Sequence, residues 1–238
     1  MQGRGIDRYH RRVVDEDGIP RVSMDYMFIT EYGVVNDLEE AEKLNAKHGD
    51  LARTCMTVLV LKDFRSKSVW AYPVEGKGVA ASEWLITQVL EDLDTCGLDG
   101  CRIILKSDQE PSILEVQNRI AELRRQAHSH GTGIENSRVG DSNSNARVER
   151  AIQEVGGLAR TMKAGLESRL GIQIRLDHPT VPWIVKHAAS TLTKYLVRDC
   201  GNTSFKIIKG RTCIEPAGEF GEMVLFKPLA TAAKKANK

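Results

Sequence analysis

The chain has 238 residues, 41% of them apolar and 28% charged, an ordinary globular composition that sets aside wholesale disorder and fibrous architecture. Its 34 Lys and Arg against 32 Asp and Glu leave a formal charge of +2, too even to announce a polyanion partner, so any such surface has to arise from local charge. Cys55, Cys96, Cys101, Cys200 and Cys213 form no CxxC pair, the opening MQGRGIDRYHRR is too polar for a secretory signal, and no apolar stretch nears the roughly 20 residues of a membrane span; reduced thiols in the nucleus or cytoplasm, away from membranes, are the expectation.

Residues 1–20 carry charge and glycine without apolar periodicity, the pattern of a flexible lead-in or of the cut end of a longer polyprotein. From Arg21, RVSMDYMFIT is dense in β-branched and aromatic residues and predicts a buried strand with Asp25 near its middle. The charged stretch from Glu31 to Leu51 contains LEEAEKLNAKHGDL, a short helix closed by Gly49 and read as a surface insertion. CMTVLVLKDF and SKSVWAYPVEG then predict two strands joined by a tight turn around Arg65 and Ser66, an antiparallel meander with the first. Val79 to Leu93 has helical spacing through Trp84, Leu85, Val89 and Leu90, and Gly97 and Gly100 end it. RIILKSD reads as a strand buried on both faces, followed by a helix over Ile113, Val116, Ile120 and Leu123, with Asp108 at the junction.

The polar, glycine-bearing run from His128 to Asn145 is a loop with one short strand around Ile134, long enough to point to function or mobility. Its His128 and His130 lack partners at ligand spacing and read as surface histidines. A long helix begins near Ser144, with Val148, Ile152, Val155, Ala159, Met162 and Leu166 as its stripe and Glu149 beside it, one turn in. A further helix is predicted from Trp183 to Val197, after Pro182, and FGEMVLFKP reads as a strand ahead of a lysine-rich end.

Asp25 in a strand, Asp108 at the carboxyl end of another and Glu149 on a helix can converge in a mixed α/β layer. Carboxylates so grouped can hold two Mg²⁺ ions, which stabilise both the attacking and the leaving oxygen of an in-line phosphoryl displacement. Plainer roles stay open for each. Asp25 could sit at a turn or edge, Asp108 lies within a capping box of Ser107 and Glu110 ahead of Pro111, and Glu149, flanked by Arg147 and Arg150, could be a solvated helix charge. From Arg138 to Arg175 seven basic residues stand against four acids, so Asn143, Asn145, Arg147, Arg150 and Lys163 are candidates to meet a phosphate backbone, with an ordinary solvated helix face as the alternative.

IILKSDQEP resembles the second acidic motif of retroviral and retrotransposon integrases, and SNSNARVERAIQ resembles the loop and helix that carry their glutamate. VSMDYMFI, at a strand before a hairpin, matches the first aspartate. The resemblance runs from about Val22 to about Phe226 and is closest in flavour to copia-type elements, through the helix with its early Trp183 and the strand-like FGEMVLF. It implies that Asp25, Asp108 and Glu149 correspond to the DDE catalytic triad of a ribonuclease H-like α/β fold, a mixed central sheet flanked by helices. It further implies two Mg²⁺ or Mn²⁺ ions, DNA strand transfer with associated endonuclease activity, element ends and target DNA as partners, and a homo-oligomer. On that match residues 1–20 are the lead-in, 21–200 the catalytic core and 201–238 an extension with a basic tail.

The chain departs from the pattern in places. Forty residues separate Asp108 from Glu149, more than in retroviral members, and 82 separate Asp25 from Asp108, which the insertion at 31–51 accounts for. Gln109, Glu110 and Pro111 stand where a polar residue and glycine are usual, Ala146 where Gly is usual and Arg147 at an apolar position. No CxxC of an amino-terminal zinc module precedes Asp25. The rival readings are a nuclease of the same fold that cuts without joining, and a decayed or domesticated copy that binds DNA or a protein without turnover.

Overall fold

The computed structural model describes residues 18–35, 37–48, 55–79, 83–127, 131–137, 145–215 and 217–224. The first strand, β1 (Arg21–Ile29), turns at Thr30 to Gly33 into a short strand β2 (Val34–Val35) that folds back on Phe28 and Ile29. The charged insertion follows as α1 (Leu38–Lys47), capped by the Asp37 carboxylate, which accepts from the Glu40 amide at 2.6 Å. Strands β3 (Met56–Asp63) and β4 (Val69–Val74) complete the expected antiparallel meander with β1. Helix α2 (Glu83–Thr95), strand β5 (Ile103–Ser107), helix α3 (Pro111–Ala127) and strand β6 (Thr132–Asn136) then add two parallel strands on the other side of β1. The sheet order is β4-β3-β1-β5-β6, with β2 paired to the end of β1. Helices α4 (Ala146–Leu170), α5 (Thr180–Tyr195) and α6 (Ser204–Lys209) finish the described chain.

Successive side chains leave a strand on opposite faces, so alternating apolar residues build two cores. On one face Met27, Val58, Val60, Val69 and Ala71 pack with Val148, Ile152 and Val155 of α4 and with Ile184, Val185 and Ala188 of α5. On the other, Met24, Tyr26, Leu59, Leu61, Ile103 and Leu105 pack with Leu85, Val89 and Leu93 of α2 and with Ile113, Val116 and Ile120 of α3. The result is a three-layer α/β/α domain, the fold class expected. The described residues after 200 touch the domain at points: Lys209 Nζ donates to the Thr95 carbonyl at 3.0 Å, and Phe220 packs on the first core. Among the described residues no helix is long and apolar enough to cross a membrane, and no cysteine is in a disulfide.

Several expectations need correction. Strand β5 is not buried on both faces: Ile103, Leu105 and Ser107 are buried, but Ile104 and Lys106 are half-buried because α4 and α5 cover the β1–β3–β4 side of the sheet. Val79, next to a left-handed Gly78 (φ +87°), is not helical, and α2 is described from Glu83. Helix α5 begins at Thr180, placing Pro182 within the first turn, where its missing N–H is of no consequence, and it ends at Tyr195 because Val197 bridges to Thr203. The described part of FGEMVLFKP, Phe220 to Val224, is turn and coil. There the Arg169 guanidinium holds the Glu219 carboxylate at 2.7 Å and the Phe220 carbonyl at 2.6 Å, pinning the segment to the end of α4 instead of to a strand.

Candidate active site

Asp25 and Asp108 meet through sheet register. Strands β1 and β5 run parallel with Ser23 opposite Lys106. Carried two residues past that last pair, the register sets Asp108, just beyond the end of β5, alongside Asp25; the even step assigns both to the face that α4 covers, and the Asp108 charge is felt at the Asp25 carboxyl. The Asp25 carboxylate accepts its own neighbour's amide, from Tyr26, at 2.8 Å on Oδ1, and the Asn145 side-chain amide at 3.2 Å on Oδ2. Glu149 follows one turn later, its amide bonded to the Asn145 carbonyl at 3.1 Å, on the border of the buried stripe of Val148 and Ile152. One residue thus links the helix of the glutamate to the strand of the first aspartate.

The capping box read from Ser107 and Glu110 does not form. Ser107 Oγ donates instead to the Asp108 carbonyl at 2.7 Å, and it is the Asp108 carboxylate that accepts the Glu110 amide, at 3.2 Å. Asp108 therefore shapes the entry to α3, as an Asx-type turn does. Glu110 is bound from across the fold: Lys77, in the loop after β4, reaches its two oxygens at 2.6 and 2.7 Å, and Ser112 Oγ donates to it at 2.6 Å. The Lys77 ammonium also lies 5.3 Å from the centroid of Tyr26 and 4.9 Å from that of Phe28, and Gly78 N donates to the Tyr26 hydroxyl at 3.1 Å. Sequence reading missed this pair. Glu110 at a position usually held by glycine was the only signal, and nothing local marked Lys77.

Burial, and then the negative charges of Asp108, Glu149 and Glu110, push the Asp25 carboxyl up to about 7 against the pull of the Tyr26 amide. Asp108, Glu149 and Glu110 thus all act electrostatically on Asp25. Among the described residues, no three carboxylate, imidazole or thiol groups close around a common point that could hold a metal ion. The donor set nevertheless fits a hard cation: it is all oxygen, and its negative charge is undercompensated at Asp25.

The candidate DNA contacts scatter. Asn143 lies outside the described residues. Asn145 is buried, only 7% exposed, and turned to Asp25. Arg147 is exposed, its guanidinium 4.2 Å from the centroid of the Phe64 ring. Arg150 is exposed, 3.9 Å from Glu154. Lys163, about four turns beyond Glu149 and on the order of 20 Å away along the axis, sits between Glu31 at 3.7 Å and Glu167 at 2.8 Å. His128 and His130 lie outside the described residues.

No protein-family model matches the chain and no curated protein does either. Solved structures do. A chain of the simian T-cell lymphotropic virus intasome, in complex with PP2A regulatory subunit B56 gamma, superposes with a TM-score of 0.51 at 14% identity over 87% of this chain, which spans 60% of that chain's length. The catalytic core of HTLV-2 integrase in complex with magnesium, in its trimeric form, gives 0.47 at 14% identity, over 79% of this chain and 95% of that one. The catalytic core of BIV integrase gives 0.49 at 15% identity, over 80% and 93%. At such identity the likeness is one of fold. With its mixed six-stranded sheet between helical layers, the chain has the ribonuclease H-like fold of a retroviral integrase catalytic core.

Proposed function

We propose that the chain is a DNA strand transferase of the integrase type, carried on a retrotransposon-type element, that joins element 3′ ends to a target phosphodiester. The observation that supports it most is the convergence on Asp25: Asp108 level with it across β1 and β5, Glu149 one turn into α4, and the charge of both felt at its carboxyl. Asp25, Asp108 and Glu149 would hold Mg²⁺ or Mn²⁺, with Glu149 drawn inward from the border of α4. Bound there, two such ions supply stabilisation of the attacking and leaving oxygens of an in-line displacement.

The chain's own part is to position. Asn145 orients the Asp25 carboxylate, Asp108 is steadied by the turn into α3, and Arg147, Arg150 and Asn143 take the DNA backbone. Asn145 is thereby reassigned from phosphate contact to holding a ligand, and Lys163, paired with Glu31 and Glu167, to binding α4 against the β1–β2 turn. Residues 21–200 form the core of this activity and 201–238 its extension. A homo-oligomer would bring two DNA ends together, and Trp84 and Trp183, 47% and 66% exposed on α2 and α5 with Lys186 between their rings, offer an apolar surface for it. The site of action is the nucleus or cytoplasm, where DNA substrates lie.

The test is a strand-transfer assay with blunt and processed duplex ends in Mg²⁺ and Mn²⁺. Joined products are expected from the parent chain. Asp108→Asn should abolish them with the fold kept, since Asn can accept the Glu110 amide as Asp does. Glu149→Gln and Glu149→Asp should each lose about a hundredfold or more, with stability within about 1 kcal/mol of the parent. Cleavage without joining would assign a nuclease of this fold. Metal-independent DNA binding without turnover would assign a decayed or domesticated copy.

A further inference from the structure

On the side of β1 away from β5, the turn between β3 and β4 gathers positive charge beside the site. Phe64 N donates to the Arg21 carbonyl at 2.8 Å, which docks the turn on the start of β1. Asp63 is consumed inside the turn, accepting the amides of Arg65 at 3.1 Å and Ser66 at 2.7 Å. Lys67, in the left-handed region (φ +65°), points its carbonyl inward, where it accepts from Lys62 Nζ at 2.7 Å and from the Arg198 guanidinium at 3.3 Å, while its half-buried ammonium turns back to donate to the Phe64 carbonyl at the rim of the turn. Arg198 also holds Glu154 at 3.0 Å, and Arg150 stands 3.9 Å from the same carboxylate. Arg147 completes the group, stacked on the Phe64 ring two residues after the Asn145 that grips Asp25. Burial, and then Arg198, bring the Lys62 ammonium down to about 7, against the pull of Glu154 and Asp63.

The arrangement is a built one. The buried Lys62 and the half-buried Arg198 fix the turn from beneath through the Lys67 carbonyl. Arg65, Arg147 and Arg150 are exposed, and the Arg147 guanidinium lies over the Phe64 ring of the turn. A planar, pre-oriented guanidinium is suited to a phosphate. Exposed cations of this kind meet phosphate oxygens, which position a duplex and carry no base sequence.

The geometry points to the β3–β4 turn as a DNA-backbone surface, in which Arg65, Lys67 and the Phe64-stacked Arg147 receive phosphates of a duplex whose scissile strand lies over Asp25. The inference deepens the strand-transferase reading and rests on it. It assigns a role to residues 64–67 that the composition of the chain, near neutrality overall, does not announce.

The test is binding of a fluorescently labelled 30-base-pair duplex by anisotropy in EDTA, titrated with salt, so that neither metal nor catalysis enters. The variants are Arg65→Ala, Lys67→Asn, which tolerates the left-handed backbone, and the pair together, with Lys43→Ala on α1 as a remote control beside Glu39. Each turn variant should bind several-fold more weakly and lower the slope of log affinity against log salt by about one, the double variant by about two, and Arg65→Lys should restore most of the loss. Lys43→Ala should match the parent. If the parent binds duplex and the double variant binds with the same slope, this surface is refuted while the strand-transferase reading stands. If the parent binds no duplex, both fall. Tighter binding of a single-stranded RNA of equal length would also overturn the assignment.

Discussion

Asn145 donates its side-chain amide to Asp25 at 3.2 Å across 120 positions of the chain, and the start of α4 has no side-chain cap as a result. An Asn at a helix N-terminus ordinarily turns its carbonyl oxygen back to a free amide of the first turn. Here that Oδ1 is buried with no hydrogen-bond partner among the described residues. Asn145→Ser should therefore recover a cap while releasing Asp25: stability within about 1 kcal/mol of the parent, with strand transfer slower by roughly tenfold or more. Melting curves and single-turnover rates measure the two effects. A serine variant that transfers strands at the parental rate would show that the amide does not position the carboxylate.

The raised Asp25 carboxyl makes stability depend on pH in a defined direction. Its ordinary value is 3.8 and in the fold it lies at about 7. Below about pH 4 the group is protonated in both states and contributes nothing; between there and about pH 7 the folded chain keeps a proton that the unfolded chain has lost, so stability falls as pH rises. Above about pH 7 the full cost, on the order of a few kcal/mol, is present. Asp25→Asn should thus raise the melting temperature at pH 8, with the gain shrinking toward pH 4.5. Mn²⁺ should stabilise the parent most at pH 8 and the variant hardly at all. A variant that melts below the parent at pH 8 would contradict this account of Asp25.

The Lys77–Glu110 bridge is one-third exposed on both partners, so its direct worth to stability is small, about 0–1 kcal/mol. Its expected effect is on charge. Lys77→Met should leave the fold intact, free Glu110 beside Asp108 and tighten Mn²⁺ binding a few-fold, read by electron paramagnetic resonance titration. Glu110→Gln in the same background should reverse the gain. An unchanged Mn²⁺ affinity in Lys77→Met would mean that Glu110 does not act on the candidate metal site.

Two adjacent glycines of α4 should respond oppositely to alanine. A Cβ on Gly156 would lie 2.8 Å from Val34 Cγ2 and 3.3 Å from its Cγ1, whereas one on Gly157 meets nothing within 4 Å. Gly156→Ala should force α4 away from β2, at a cost of about 1–3 kcal/mol that exceeds the gain of about 1 kcal/mol in helix propensity. Gly157→Ala should stabilise by about 0.5–1 kcal/mol. Chemical denaturation of both, in parallel, gives the two signs, and equal effects would remove the close approach as the reason for Gly156.

Much of the architecture was legible because it rests on short-range regularities. The alternation through VSMDYMFI and CMTVLVLKDF marked β1 and β3, and the stripe of Val148, Ile152 and Val155 marked α4 with Glu149 on its border. An acid amid apolar neighbours singled out Asp25. Periodicity could not reach β2, whose two residues are too few to show any, nor could it warn that Phe220 to Val224 would be pinned by Arg169 and stay out of a strand.

By itself, then, the sequence determined most of the strands and helices and which three acids merit attention, since both follow from side-chain spacing along one segment. Only the tertiary structure decided who meets whom: that Asp108 comes level with Asp25, that Asn145 serves the carboxylate instead of its own helix, and that Lys77 binds Glu110. The same holds for Arg147 on Phe64 and for Lys163 between two glutamates far from the site. These pairings depend on strand order and on the packing of α4 over the sheet, and a flexible side chain with several partners within reach is assigned by whichever neighbour the fold delivers.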